Sequence, residues 1–197
     1  MDVDPRLGQT IKVPPAWHEI APSRSADSGD IETGDADGIQ RGLVIHRLLQ
    51  LAVGLPIPQI DAMMLLRQVA GEYSLRQDDP RLNEWWQEVE TIIENRSLAW
   101  LTQPGVDHHA FSEIPIEYRR QNQTVYGVID RLVVGPEQVT LVDYTTHRLD
   151  DADIEQLGTH YRPQLELYRE GVQRLWPNHS VRACLLLTHG CRLVDMT

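Results

Sequence analysis

The sequence predicts a single mixed α/β domain, and the spacing of its apolar residues carries that prediction. The chain has 197 residues, 41% hydrophobic and 24% charged, which is ordinary composition for one domain with a sizeable core. From residue 39 to about residue 101 the apolar residues follow the helical period. From about residue 110 the period becomes two, as in strands, with one helical stretch between. We expect helices, three strands, a helix and two strands, in that order.

The first 38 residues differ from the rest. They contain four prolines, followed by the small, acidic stretch SADSGDIETGDADG at residues 25–38, which has no apolar period. Such a composition buries too little apolar surface to fold by itself. We interpret residues 1–38 as a linker or flexible arm and expect the folded domain to span residues 39–197.

Turn and helix-stop signals separate the elements of the folded part. The first helix covers IQRGLVIHRLLQLAVG at residues 39–54 and ends before a proline. Further helices are expected around residues 58–73 and 81–101. Three strands are expected at residues 110–119, 124–134 and 138–147, then a helix at 161–176 and a hairpin at 181–196.

Composition excludes several classes of protein. The net charge is −11, from 29 acidic and 18 basic residues, which argues against tight autonomous binding of nucleic acid. No apolar run is long enough to span a bilayer and no signal pattern is visible, so we expect a cytoplasmic protein without membrane contact. Cys184 and Cys191 are too few for a thiolate-only metal site. A hairpin turn between them would hold them roughly 13 Å apart, too far for a disulfide.

Two aspartates are predicted to face each other on neighbouring strands. A turn of even length at residues 135–138 pairs Val134 with Val139. The same register places Asp130 directly opposite Asp143, on an otherwise apolar face. Opposed Cβ atoms lie about 4.5–5.5 Å apart, so two ionised carboxylates there repel by roughly 3 kcal/mol at an effective dielectric near 20.

A shared proton or a divalent cation with oxygen ligands, Mg²⁺ or Mn²⁺, would relieve this repulsion. An odd-length turn would instead shift the register by one residue and leave one aspartate solvated at a strand end. Spacing alone leaves both alternatives open.

Six other polar residues can be placed near this pair, namely His46, Glu113, Thr145, His147, Gln164 and Tyr168. The threonine and the second histidine share the face of Asp143 by strand alternation. The glutamate is as easily an exposed edge residue, and the histidine of the first helix a hydrogen-bonded core residue. The glutamine and tyrosine are four residues apart on one helix, which packing also explains.

Taken in order, these residues resemble a known nuclease family. The segments that carry the resemblance are GLVIHRLL (42–49), EIP (113–115), GVIDRL (127–132), VDY (142–144) and QLELY (164–168). They are similar to the nuclease domain of RecB and AddA, the helicase–nuclease subunits of the exodeoxyribonuclease V type, within the PD-(D/E)XK superfamily. The resemblance covers about residues 39–197. It implies a restriction-endonuclease-like α/β core, with a mixed central sheet flanked by helices and an N-terminal helical region.

The resemblance also implies roles for single residues. Metal ligands for Mg²⁺ or Mn²⁺ would be His46, Asp130, Asp143 and the backbone carbonyl of Tyr144. Glu113 matches a further acidic position of the family. The metal would polarise the scissile DNA phosphate and lower the pKa of an attacking water.

Further expectations concern the helix after the third strand and the partners. Gln164 and Tyr168 match the QxxxY signature, which is expected to help hold DNA and the geometry of the site. The phosphate-binding GxxxxGK[ST] loop of a helicase motor is absent from the sequence. The resemblance therefore implies helicase domains upstream in a longer chain, and a partner protein similar to AddB or RecC.

One residue departs from the family's pattern. The family has Asp-Tyr-Lys-Thr where this chain has Asp143-Tyr144-Thr145-Thr146. The missing lysine would stabilise developing charge or orient the water, and a threonine hydroxyl has no charge with which to do so. Of the 18 basic residues, 17 are arginine, and Lys12 is the sole lysine. Loss of one preorganised electrostatic group typically costs about 10²–10³ in rate, so we expect reduced or absent cleavage.

Two hypotheses for function follow. The first is a magnesium-dependent C-terminal nuclease domain of a helicase–nuclease that acts in double-strand break repair and recombination, with impaired cleavage. The second is an inactive nuclease-fold module for DNA-end binding or subunit docking. Thr145 favours the second hypothesis, whereas the retained His46, Asp130 and Asp143 favour the first. Five acidic residues lie in the acidic stretch at residues 25–38 of the predicted arm, so the net charge does not exclude DNA delivered by a motor.

Overall fold

A computed structural model of the chain describes residues 18–20, 36–147 and 154–197. The N-terminal part contains strand β1 (His18–Ile20) and helices α1 (Ala36–Ala52), α2 (Ala62–Glu72), α3 (Pro80–Glu94) and α4 (Ala99–Thr102). The remainder contains strands β2 (His109–Arg120), β3 (Gln123–Val134) and β4 (Gln138–Thr145), helix α5 (Ile154–Leu175), and strands β5 (Ser180–Leu187) and β6 (Arg192–Asp195). From α1 onward this is the predicted order of elements.

Local signals explain where the N-terminal helices begin. The Asp61 carboxylate accepts a hydrogen bond from the Met64 amide at the start of α2. At the start of α3 the Asp79 carboxylate accepts from the Arg81 amide, and Pro80 occupies the first helical position. Such N-caps satisfy amides that have no partner within the helix.

The six strands form one mixed sheet with β3 at its centre. Strand β2 runs antiparallel along the whole length of β3. On the other side of β3, β4 pairs antiparallel with residues 131–134 only, and β1 pairs parallel with residues 123–125. Strand β4 then pairs parallel with β5, and β5 antiparallel with β6. Among the described residues, no strand pairs with residues 126–130 of β3 on this side, between β1 and β4.

The register of the β3–β4 pair confirms the even-length turn. Val134 pairs with Val139, and the ladder ends at the pair of Arg131 and Val142. Asp130 and Asp143 therefore occupy the next position, where the two strands begin to separate.

In the terminal hairpin, Cys184 of β5 pairs with Asp195 of β6. Cys184 and Cys191 are both free thiols. Among the described helices, none combines the length and apolar composition needed to cross a membrane.

The sheet separates two apolar cores. Helices α1 to α4 cover one face, where Ile45, Leu48, Trp85 and Val89 pack against Val142 and Tyr144 of β4. Helix α5 covers the other face through Leu165, Tyr168 and Val172, which pack with Ile129, Leu141 and Leu185. Adjacent residues of β4 thus serve opposite cores, as expected for a strand buried on both faces.

Several boundaries differ from the sequence expectation. Helix α1 begins three residues early, at Ala36, and the stretch expected to be helical at residues 81–101 is divided into α3 and α4. Strand β1 lies within the range 1–38, because the open edge of β3 offers backbone partners to a short upstream segment. Residues 1–17 and 21–35 of the predicted arm lie outside the described residues. Strand β4 ends at Thr145, two residues early, because the next carbonyl accepts from an arginine side chain and not from a strand.

Helix α5 begins at Ile154, seven residues before the expected start at residue 161. The expected range would place Pro163 in the first turn, yet it lies inside the helix. A proline there costs one backbone hydrogen bond, which the packing of the apolar face of α5 outweighs.

Gly127 is required by the packing of α5 on the sheet. A Cβ atom at this position would lie 2.5 Å from Cε1 of the fully buried Tyr168. We expect Gly127→Ala to lower the free energy of unfolding by about 1–3 kcal/mol, because backbone or ring must shift. Urea unfolding measures this change.

The matched control is Gly71→Ala, whose added Cβ would meet no atom within 4 Å. This substitution in α2 should be neutral or stabilising by up to about 1 kcal/mol. Equal effects of the two substitutions would contradict the close contact with Tyr168. Adding Tyr168→Leu to Gly127→Ala should recover part of the loss.

Candidate metal centre

The candidate site lies where β3 and β4 separate. Asp130 is 9% exposed and Asp143 is 4% exposed. The Tyr144 backbone amide donates a hydrogen bond of 2.6 Å to Oδ2 of Asp130. This bond replaces the next step of the strand ladder and fixes the Asp130 carboxylate beside the β4 backbone.

Glu113 brings a third carboxylate to the same point from β2. It stands opposite Asp130, because the flanking pairs are Ser112 with Arg131 and Ile114 with Ile129. Glu113 has a φ of 53°, which is the left-handed region. For a residue with a Cβ this conformation costs roughly 1–2 kcal/mol.

This left-handed residue coincides with a reversal of the faces of β2. Ala110 packs against the core of α1 to α4, whereas Ile116 packs against the core of α5, although the two residues are an even number of positions apart along β2. In a regular strand the two side chains would share one face. The surrounding structure therefore maintains a strained backbone conformation at Glu113, and such strained residues are typical of functional sites.

His46 approaches the carboxylates from α1. Its Nδ1 lies 3.4 Å from Oδ1 of Asp130, and it hydrogen-bonds the backbone carbonyl of Tyr144. One ligand atom each from His46, Glu113 and Asp130 lie within 4.8 Å of one another. Burial disfavours the imidazolium, but the charge and hydrogen bond of Asp130 outweigh it, so the pKa of His46 is raised.

Asp143 is held from the α5 side of the sheet. The Gln164 amide Nε2 donates a hydrogen bond of 2.7 Å to Oδ2 of Asp143. Burial raises the pKa of Asp143 well above its ordinary value, and the charge of and hydrogen bond with Asp130 raise it further. The buried Oε1 of Gln164 finds no hydrogen-bond partner among the described residues.

The three carboxylates repel one another in a confined space. Burial, followed by the charge of Asp130, also raises the pKa of Glu113. Oxygen ligands with one imidazole match the preferences of Mg²⁺ and Mn²⁺, and a divalent cation would offset the repulsion. The donor set of His46, Glu113 and Asp130 therefore fits the expected metal. Asp143, which was predicted as a ligand, interacts with Asp130 but is not a member of this set.

Thr145, at the position of the missing lysine, is buried beside the site. Its Oγ1 lies 2.7 Å from Nδ1 of His147 and 3.3 Å from the hydroxyl of Tyr161. Sequence reasoning placed His147 on this face but missed Tyr161. That tyrosine lies three residues before Gln164 on α5, so the helical spacing of the family's glutamine could have indicated it.

Sequence reasoning also missed a buried ion pair behind the site. Arg41 of α1 donates to Glu88 of α3 and to the backbone carbonyl of Thr146. Thr188, just after β5, donates its hydroxyl to Glu88 and its backbone amide to the carbonyl of Thr145. The pair thereby fixes the end of β4 against the helix that carries His46. No local pattern reveals a partner so distant in sequence.

Comparison with known proteins identifies the family of this constellation. The sequence model of the PD-(D/E)XK nuclease superfamily matches residues 24–192. The chain belongs to this superfamily. The expected restriction-endonuclease-like core, a mixed sheet flanked by helices, is confirmed.

Curated relatives are helicase and nuclease subunits. An ATP-dependent helicase/nuclease subunit of Streptococcus pneumoniae is 26% identical over 171 residues, which cover 83% of this chain and 13% of that protein. Exonuclease/helicase subunit RexA of S. pneumoniae serotype 4 gives the same values. The ATP-dependent helicase/nuclease subunit of Anoxybacillus flavithermus is 26% identical over 181 residues, covering 80% and 13% respectively. The chain thus spans 13% of the length of these relatives.

The strain at Glu113 can be separated from its charge by two substitutions. Glu113→Gly should make the metal-free protein more stable than Glu113→Ala by about 1–2 kcal/mol, because only glycine relieves the left-handed conformation. Both variants should lose affinity for Mn²⁺ by at least about tenfold. Urea unfolding and calorimetric titration measure the two effects. Equal stability of the two variants would show that position 113 carries no backbone strain.

Proposed function

We propose that residues 39–197 form the C-terminal nuclease domain of a RecB/AddA-like ATP-dependent helicase–nuclease, and that residues 1–38 lead into it. The domain would hydrolyse DNA phosphodiester bonds with Mg²⁺ or Mn²⁺ in double-strand break repair and recombination. The observation that carries this proposal is the convergence of His46, Glu113 and Asp130 beside the buried Asp143. Membership of the PD-(D/E)XK superfamily supports it.

The residues of the site have distinct tasks in this proposal. Asp130, oriented by the Tyr144 amide, and Asp143, oriented by Gln164, would hold the metal together with His46 and the carbonyl of Tyr144. The metal would polarise the scissile phosphate and lower the pKa of a water molecule. Glu113 would offset part of the positive charge of the bound metal from the β2 side. Tyr168 supports the geometry from behind Gly127.

The full protein would supply what this chain lacks. Helicase domains upstream would deliver DNA to the site, and a partner protein similar to AddB or RecC would complete the assembly in the cytoplasm. The names of the relatives and the share of their length that this chain spans support this part of the proposal. Delivery by a motor also accommodates the net charge of −11, because the domain need not bind DNA tightly by itself.

A metal titration tests the first step. The parent protein should bind Mn²⁺ in calorimetry, and Asp130→Asn should weaken the binding at least about tenfold, since one charged ligand is lost. The control is Asp78→Asn, which removes an exposed carboxylate paired with Arg76 and should leave the affinity unchanged. Equal affinities of all three proteins would refute the assigned site.

Thr145 motivates the proposal that cleavage is impaired. Thr145→Lys restores a charged group at the lysine position and should raise metal-dependent DNase activity at least about tenfold. Thr145→Met, which adds length without charge, is the control for altered packing at this buried position. Thr145→Lys combined with Asp130→Asn should be inactive. A Thr145→Lys protein no faster than the parent would show that position 145 has another role.

The second candidate function is a docking or DNA-end-binding module without catalysis, favoured by the same threonine. Metal binding separates the candidates, because a docking module has no need of a cation between its buried carboxylates. A parent protein that binds DNA ends but no divalent cation would favour this function over the nuclease.

A further inference from the structure

The place of the missing lysine contains three connected side chains. Oγ1 of the buried Thr145 lies within hydrogen-bond distance of Nδ1 of His147 and of the Tyr161 hydroxyl. The rings of His147 and Tyr161 also meet edge to face, with centroids 6.4 Å apart. The histidine ring is therefore held beside Thr145 and Tyr161 by direct contacts with both side chains.

Helix α5 aligns this cluster with the metal ligands. Gln164 contacts Asp143, and Tyr161, three residues earlier on the helix, contacts Thr145, two residues later on the strand. Residues three apart on a helix share a face, as do residues two apart on a strand. The His147 ring thus lies on the same side of β4 as the Asp143 carboxylate.

The contacts of Thr145 bear on which ring nitrogen of His147 carries the hydrogen. The backbone amide of His147 lies 3.5 Å from Oγ1 of Thr145 and donates to it. If the Thr145 hydroxyl supplies the hydrogen of the 2.7 Å contact, Nδ1 of His147 accepts it and the neutral ring carries its own hydrogen on Nε2. A donor role for Nε2 requires this tautomer.

We propose that His147, held by Thr145 and Tyr161, takes over the task of the missing lysine as a hydrogen-bond donor to the scissile phosphate. The chain would therefore retain slow cleavage. This inference rests on the proposed nuclease function. A neutral donor stabilises developing negative charge less than an ammonium does, which agrees with the gain expected from Thr145→Lys.

The reaction leaves His147 unchanged. The oxygen of a water molecule forms a bond to phosphorus while the bond from phosphorus to the leaving deoxyribose oxygen breaks. Solvent accepts a proton from the attacking water and returns one to the leaving oxygen. The Nε2–H group keeps its hydrogen and stabilises the charge that develops on the phosphate oxygens.

Two amide substitutions separate a catalytic donor from a structural contact. In His147→Gln the amide nitrogen reaches the position of Nε2, whereas in His147→Asn an amide oxygen reaches that of Nδ1. We expect His147→Ala to lower Mn²⁺-dependent cleavage at least about tenfold. His147→Gln should retain more activity than His147→Asn, and added imidazole should partly rescue His147→Ala. A greater retention by His147→Asn would overturn the proposal in favour of a structural contact.

Two further measurements do not depend on turnover. In ¹⁵N-histidine NMR spectra the Nδ1 resonance of His147 should show a hydrogen-bond acceptor, and Thr145→Val should shift it. An Nδ1 that carries the hydrogen would overturn the proposal. The affinity for Ca²⁺ should stay within about twofold in the His147 variants, because the metal ligands are untouched. A loss of Ca²⁺ affinity that matches the loss of activity would also overturn it. His109→Ala, at an exposed position of β2, is the control for removal of a histidine.

Failure of this inference is distinguishable from failure of the proposed function. If the parent is inactive while Thr145→Lys cleaves DNA, His147 does not replace the lysine and the nuclease assignment stands. If the parent cleaves and His147→Ala is equally active, the inference alone fails. If neither the parent nor Thr145→Lys cleaves DNA with Mg²⁺ or Mn²⁺, the nuclease assignment fails and this inference with it.

Discussion

Mutual repulsion among two buried aspartates and a half-buried glutamate is the constraint around which this molecule is organised. Asp130, Asp143 and Glu113 converge where β3 and β4 separate, and burial removes the water that would screen them. The neighbouring groups compensate in part. The Tyr144 amide, the Gln164 amide and His46 each direct a hydrogen-bonding group to one of the two aspartates. A sheet designed for stability alone would place apolar residues here.

The surrounding architecture keeps this arrangement in place. Strand β4 pairs with only four residues of β3, so the two strands part directly beside Asp130. Helix α1 approaches the end of β4 closely, since a Cβ on Gly42 would lie 3.3 Å from Oγ1 of Thr146. That approach brings His46 to the carboxylates. The stability of the sheet does not require the short β3–β4 ladder or the close approach of α1. Both features are needed to bring the side chains of the site together.

Sequence reasoning predicted the parts that depend on periodicity. The element order, the register of the β3–β4 pair and the placement of Asp130 beside Asp143 follow from alternation and one turn. Features fixed by contacts distant in sequence were not predictable. The left-handed backbone at Glu113, the Arg41–Glu88 pair and strand β1 arise from tertiary packing, which overrides local propensity. The early start of α5 was also not predicted, since Pro163, a residue type common in a first helical turn, lies well inside the helix. The roles assigned to single residues stay predictions until they are tested.

The contacts of Glu88 limit how far this protein can be shortened and still fold. Its carboxylate receives Arg41 from the helix of His46 and Thr188 from the end of β5, and His189 lies nearby. The helices α1 to α4 are therefore part of the sheet's own framework rather than a separable cap. A fragment reduced to β2 through β6 would lose His46, expose the apolar face of the sheet and leave the ends of β4 and β5 unsupported. We therefore expect the smallest folded unit to include the first helix.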